Sequence, residues 1–313
     1  MKNNFNRAKH SGDVGMKYLL NGLLVSLLLS VNGLLWAESL KDKVTPTIYK
    51  KGVIWKVESA KQKTSYLMGT MHVDDPGIWE LFKKAQSFFD QSKRVCTEVK
   101  MDFETIAAEM KATFFSDGRT LRSVINNEDF YQLVIKLAEE RGYPEPIIKN
   151  MKPFTLVFML SMPKPTGKML DETIYHDAIR AGKISCGLET IEEHANVLNV
   201  FSMPDQIVML RSTVERIDEV DKVYPVLLKT YLSRDLLALA NLVNNSLMLE
   251  DAKIEKIFLQ KFLIDRNKIM VKRMIPHIEE GGSFFAVGAM HLTGSAGVLR
   301  LLSDQGYKVT SIY

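Results

Sequence analysis

The same short pattern occurs twice in this 313-residue chain, each time directly after a strand-like apolar run. Gly69-Thr70-Met71-His72 follows Ser65-Tyr66-Leu67-Met68, and Gly288-Ala289-Met290-His291 follows Phe284-Phe285-Ala286-Val287. More than two hundred residues separate the copies, yet both read as strand, Gly, two residues, His, then helix. Open α/β sheets bind ligands outside the carboxyl ends of their strands. A glycine there lets the backbone turn sharply or come close to a ligand. Two imidazoles carried to one sheet edge by parallel routes are natural metal ligands, so the repeat predicts a fold that brings His72 and His291 together.

Periodicity predicts an α/β chain dominated by helix. Val53 to Glu58 and Thr64 to Met68 read as strands joined by the hairpin segment Ser59-Ala60-Lys61-Gln62-Lys63. From Ile78 to Phe89 the spacing is helical, with Ile78, Leu81, Phe82, Ala85, Phe88 and Phe89 on one face. Arg94 to Val99 and Ile184 to Leu188 read as further strands. Helical signals fill 102–183, punctuated by Asp117-Gly118, Pro144, Pro146, Pro153, Pro163 and Pro165, and then 190–280, stopped by Gly281-Gly282. Strand Ser283 to Val287, helix Gly294 to Asp304 and strand Tyr307 to Ile312 close the chain. The expectation is one mixed sheet built from N-terminal, middle and C-terminal strands, with large helical insertions near 102–183 and 190–280 forming a cap. Residues 38–313 would make one domain of 276 residues, enough for a sizeable core.

The first 37 residues read as an export signal, or as an uncleaved N-terminal anchor. Lys2, Arg7, Lys9 and Lys17 precede the apolar run Tyr18 to Trp36, and Ala37 offers a small residue for cleavage. This predicts a periplasmic or secreted protein, touching a membrane only if the segment is retained. Four of the 41 basic residues and one of the 37 acidic residues lie in that segment, leaving 37 against 36. Nothing in so balanced a composition calls for nucleic acid as a partner. Cys96 and Cys186 both sit in strand-like runs, and an oxidising compartment permits a disulfide between them. Two buried free thiols fit the sequence equally well.

Several segments together carry a family resemblance. They are Tyr66-Leu67-Met68-Gly69-Thr70-Met71-His72, Glu98 after the next strand, Gly187-Leu188-Glu189-Thr190, Asp265-Arg266-Asn267, Phe285-Ala286-Val287-Gly288-Ala289-Met290-His291-Leu292 with Gly294 and Gly297, and the closing Leu301 to Val309. In this order, across roughly residues 50 to 313, the chain resembles the TraB/GumN family. The resemblance implies a fold like that of the erythromycin-esterase and ChaN group. It also implies a metal-dependent protease activity of the Tiki branch, which uses manganese- or cobalt-type ions. Another branch is implicated in controlling peptide pheromones.

The residues' own chemistry is compatible with that implication. A hydrolytic metal site needs two or three N or O ligands and one open position for a water. His72, His291 and Glu98 are the candidate ligands for a divalent Mn, Co or Zn ion, with Glu189 as general base and a peptide or protein as substrate. Glu98 and Glu189 are able to exchange roles. Arg266 and Asn267 are candidates for orienting a substrate carbonyl or stabilising an oxyanion. The rival reading is a non-catalytic binder that sequesters a peptide signal or a haem-like ligand in the same cleft. His176 and His277 read as surface or packing residues. His194, in Glu189-Thr190-Ile191-Glu192-Glu193-His194, matches neither a zincin motif nor its inverse. Pro165-Thr166-Gly167-Lys168 lacks the first glycine and the Ser/Thr of a phosphate loop.

Overall fold

A computed structural model describes residues 49–162, 167–246 and 251–313. Segment 1–37, read above as an export signal or anchor, lies outside the described residues, as do Pro163 and Pro165. Among the described residues no helix is long and apolar enough to cross a membrane.

Six strands form one mixed sheet among those residues: β1 (Ile54–Glu58), β2 (Thr64–Thr70), β3 (Arg94–Thr97), β4 (Ile184–Gly187), β5 (Ser283–Gly288) and β6 (Lys308–Ser311). Their order is β4-β3-β5-β2-β1-β6. β4, β3, β5 and β2 run parallel, and β1 pairs antiparallel with both β2 and β6. The β1–β2 hairpin turns through Ser59–Lys63, where Gln62 adopts a φ of 57°. β5 explains its own sequence. A central parallel strand is covered on both faces, so Ser283-Phe284-Phe285-Ala286-Val287-Gly288 is buried throughout and shows no polar alternation. The edge strands β4 and β6 are the more exposed ones.

The helix Pro76–Gln91 starts where Asp75 accepts the Gly77 N–H at 2.7 Å and Pro76 takes the first position. Its buried stripe is Ile78, Leu81, Phe82, Ala85 and Phe89, while the Phe88 ring lies tilted 4.7 Å from Tyr66. The cap forms as expected. Helix Pro153–Ser161 is buried on every side, because it lies inside the helical layer. Phe154 there meets Phe201 and Phe262 from the second helical stretch, Phe158 meets Phe262, and Phe258 stacks on Phe262, making one aromatic cluster. Each such ring contributes about 1.5–3 kcal/mol by leaving water. One core therefore continues from Ile54 in the sheet through the cap to Leu302.

Cys96 and Cys186 lie directly opposite each other on β3 and β4 and form a disulfide across a sequence separation of 90. The strand pairing continues past both strand ends, where Leu188 N–H donates to Thr97 O and Glu189 N–H donates to Glu98 O. Two carboxylates are thereby set side by side at the carboxyl edge of the sheet.

Candidate metal centre

Four chain segments leave that edge, and each delivers one side chain. After β2 come Met71 and His72. The His72 Nδ1 lies 2.8 Å from Asp171 Oδ2, on the first turn of helix Leu170–Arg180, and Asp171 Oδ1 accepts the hydroxyl of Thr70. Asp171 therefore holds the imidazole by Nδ1 and leaves Nε2 to face inward. Tyr231 O–H donates to Gly69 O at 2.8 Å, tying the first motif to helix Ile217–Leu232.

After β5, the 3-10 turn Ala289–Leu292 carries His291 back over the strand end. Its Nδ1 is 2.6 Å from Asn267 Oδ1, and Asn267 Nδ2 donates to Ala296 O at 2.8 Å. With the amide nitrogen committed to Ala296, the amide oxygen is the atom facing the ring. His291 Nδ1 thus carries the hydrogen, and Nε2 keeps a bare lone pair. That lone pair faces Glu98 Oε1 at 3.6 Å. Two acceptors so close, both buried, call for a cation between them.

Glu98 is fixed from two sides. Its Oε1 accepts the Gly288 N–H at 2.7 Å, and its Oε2 accepts Arg266 Nη2 at 2.6 Å. Arg266 also donates through Nε and Nη2 to both oxygens of Glu189, at 2.6–3.0 Å. A π-helical turn, Leu259–Ile264, precedes helix Asp265–Glu280 and sets the angle at which Arg266 and Asn267 enter the cluster.

The glycine of the second motif lies at the centre of this arrangement. A Cβ on Gly288 would sit 3.3 Å from Glu98 Oε1, 3.4 Å from His72 Nε2 and 3.6 Å from His291 Cδ2. The three predicted ligand side chains therefore converge on one point that only glycine leaves open. Charge agrees with geometry. Glu98 and Glu189 share the single guanidinium of Arg266, while Asp171 is paired with the His72 imidazole; with that imidazole neutral, as a ligand must be, the three carboxylates exceed the cations by two, which a divalent ion would offset. These donor types fit a metal ion, although the three ligand atoms that lie within 4.8 Å of one another at this edge are those of Glu98, Glu189 and His194.

Burial by itself would depress the His72 imidazole, but Asp171, with Glu98 behind it, carries it up to about 9. Burial pushes His291 down to about 4. Burial would raise Glu98, yet His291, the Arg266 guanidinium, His72 and the Gly288 N–H hold it well below the usual carboxylate range. The two imidazoles give the metal-free protein a two-sided pH dependence. The His72 contribution is complete below pH 6.5 and is lost as pH rises to about 9. His291 costs nothing above pH 6.5, and its cost grows as pH falls toward 4. Each displacement is worth roughly 3 kcal/mol. Urea unfolding of metal-free protein should therefore show greatest stability near pH 6.5 and a decline on both sides. A flat profile from pH 6.5 to 9 would contradict the Asp171–His72 pairing.

All the sequence-nominated residues meet here: His72, Glu98, Glu189, Arg266, Asn267 and His291. Their bonding differs from the sequence expectation in three places. Both Glu189 oxygens face Arg266, the Arg266 fork is spent on two glutamates, and Asn267 spans His291 and Ala296. Sequence reasoning missed Asp171, whose place in a first helical turn looks like ordinary dipole compensation. It also set aside His194. The ring Nδ1 of that residue pairs with buried Glu109 at 2.9 Å, and an imidazole nitrogen lies within 4.8 Å of oxygens of Glu98 and Glu189. The capping box Thr190–Glu193 was its one local signal, since it begins the helix that turns His194 inward.

Comparison with known proteins points the same way. The TraB/PrgY/gumN family profile matches residues 53–311. Metalloprotease TIKI2 of Xenopus tropicalis is 24% identical over 348 residues, covering 91% of this chain and 66% of the relative. The Metalloprotease TIKI homolog of Nematostella vectensis is 24% identical over 86% of this chain and 68% of its own length. For Metalloprotease TIKI1 of Homo sapiens the values are 24%, 82% and 61%. The chain thus spans roughly 60–68% of the length of these relatives. No solved structure matches it.

Proposed function

The chain belongs to the TraB/PrgY/gumN family, and we propose that it is an exported, metal-dependent hydrolase of peptides or proteins. The observation that carries this reading is the convergence of Glu98 Oε1, His72 Nε2 and His291 on the position of a Gly288 Cβ. Those three side chains would hold one divalent ion, and two imidazoles with one carboxylate suit Mn²⁺, Co²⁺ or Zn²⁺. Such an ion, when bound, polarises a carbonyl and makes its water acidic enough to ionise near neutral pH. The remaining work belongs to the chain. Asp171 and Asn267 each hold an imidazole by Nδ1, so that Nε2 is the free nitrogen. Gly288 N–H and Arg266 pin the Glu98 carboxylate, and Glu189 anchors Arg266. In this reading Arg266 and Asn267 position other side chains and do not touch the substrate. The metalloprotease names of the relatives support a peptide or protein substrate. The leader-like residues 1–37 support export, and N-terminal sequencing of protein recovered outside the cytoplasm should begin near Glu38.

Elemental analysis of purified full-length protein tests the centre. One divalent ion per chain is expected, and His72→Ala and His291→Ala should each lose it with unchanged circular dichroism. Cleavage of a peptide library should stop with chelator and return with Mn²⁺ or Co²⁺. Full metal occupancy in both variants would remove the site.

A further inference from the structure

The disulfide is not alone in its pocket. Helix Asp265–Glu280 crosses the β3–β4 edge, and after Arg266 it meets that edge twice more. Arg273 donates to Leu188 O at 2.9 Å, just beyond β4. One turn further on, an imidazole nitrogen of His277 and the sulfurs of Cys96 and Cys186 all lie within 4.8 Å of one another. Sequence patterning placed His277 among surface or packing residues, and the structure places it beside the disulfide. Its Nδ1 is buried and has no hydrogen-bond partner among the described residues. A buried polar atom left without a partner is uncommon enough to require a reason. Burial, with Arg94 nearby, pushes the His277 imidazole down, which keeps it neutral and able to ligate.

We infer that Cys96, Cys186 and His277 form a redox-gated site for a soft divalent ion of the zinc class, closed by the disulfide and opened by reduction. The chemistry balances. A dithiol reductant donates two electrons to the S–S bond and becomes a disulfide itself, while each cysteine sulfur takes one proton. An entering ion then displaces both thiol protons and binds two thiolates and one neutral imidazole, a donor set that suits zinc. Cys186 is only partly buried and β4 is an edge strand, so reductant and ion have a route in. The ion would replace the lost cross-link with another between the same two strands. Glu98 and Glu189 follow directly after those strands, so their spacing would be kept in both oxidising and reducing surroundings. This inference does not depend on the hydrolase reading, because it uses none of its ligands.

Cobalt(II) titration of the full-length protein, after reduction by a water-soluble phosphine, tests it. One equivalent should produce an intense sulfur-to-cobalt charge-transfer band that the oxidised protein lacks. The imidazole–carboxylate centre cannot produce such a band, so the two sites are read separately. Cys186→Ser should abolish the band, and His277→Ala should weaken cobalt binding at this site at least tenfold while the helical circular dichroism persists. If reduction alone unfolds the chain, adding the ion should restore the helical signal. The inference is overturned by absence of the band in reduced protein, by unchanged binding in His277→Ala, or by failure of the ion to restore an unfolded reduced chain.

Discussion

Arg266→Ala should destabilise the protein by roughly 5 kcal/mol at neutral pH, because it strips two buried carboxylates of their shared counter-ion at once. Arg266, Glu98 and Glu189 are each at most 6% exposed, so water cannot take over. The loss follows from the unpaired charges left behind, and it should shrink in acid as the orphaned glutamates become able to protonate. Arg266→Lys restores a charge but lacks the planar fork that serves both oxygens of Glu189 and one of Glu98. It should recover less than half of the loss. Urea unfolding of the three proteins at pH 7 and pH 5 provides the measurement. A cost below about 1 kcal/mol for Arg266→Ala would mean that other donors reach these carboxylates, and the clamp would not be what holds Glu98 in place.

The same cluster shows which parts of the site a sequence can carry. The two Gly-x-x-His motifs were legible because their meaning is local: a strand, a backbone that must turn, and a ligand one turn on. Glu98 and Glu189 were legible for a similar reason, each lying just after an apolar run of strand length. What pairs with what was not legible. The Arg266 donors look available for a substrate until the fold shows them spent on residues 77 and 168 positions away. Asp171 reaches Thr70 across 101 positions and had no local mark beyond a helix start. The disulfide depended on β3 and β4 being neighbours, which is a matter of strand order and not of spacing. One boundary also moved for a visible reason. The last helix was expected from Gly294 but begins at Val298. Gly294 adopts a φ of 79°, and a Cβ on Gly297 would fall 2.3 Å from Thr293 O, so residues 293–297 make a tight turn first.

The two motif glycines perform different tasks, and alanine substitution should separate them. At Gly69 a Cβ would meet Leu292 Cδ1 at 2.6 Å and the Ala289 backbone at 3.1 Å. The turn that carries His291 is packed directly against this glycine, so Gly69→Ala forces the two motifs apart. A loss of about 2–3 kcal/mol in urea unfolding is expected, the range for overfilling a packed contact. At Gly288 the backbone φ of −53° suits any residue, and the added methyl would meet side-chain tips only: Glu98 Oε1, His72 Nε2 and His291 Cδ2. Gly288→Ala should therefore fold with nearly normal stability while its methyl group stands where the ligands converge. Metal affinity by calorimetric titration should fall at least about a hundredfold, the upper range for disturbing the support of a metal ligand. Peptide cleavage should fall with it. Gly69→Ala protein that remains folded at low temperature should bind the ion less tightly too, but its loss of stability sets it apart from Gly288→Ala. If Gly288→Ala kept full affinity, the ion would have to lie elsewhere, and the facing lone pairs of His291 and Glu98 would need another cation to explain them.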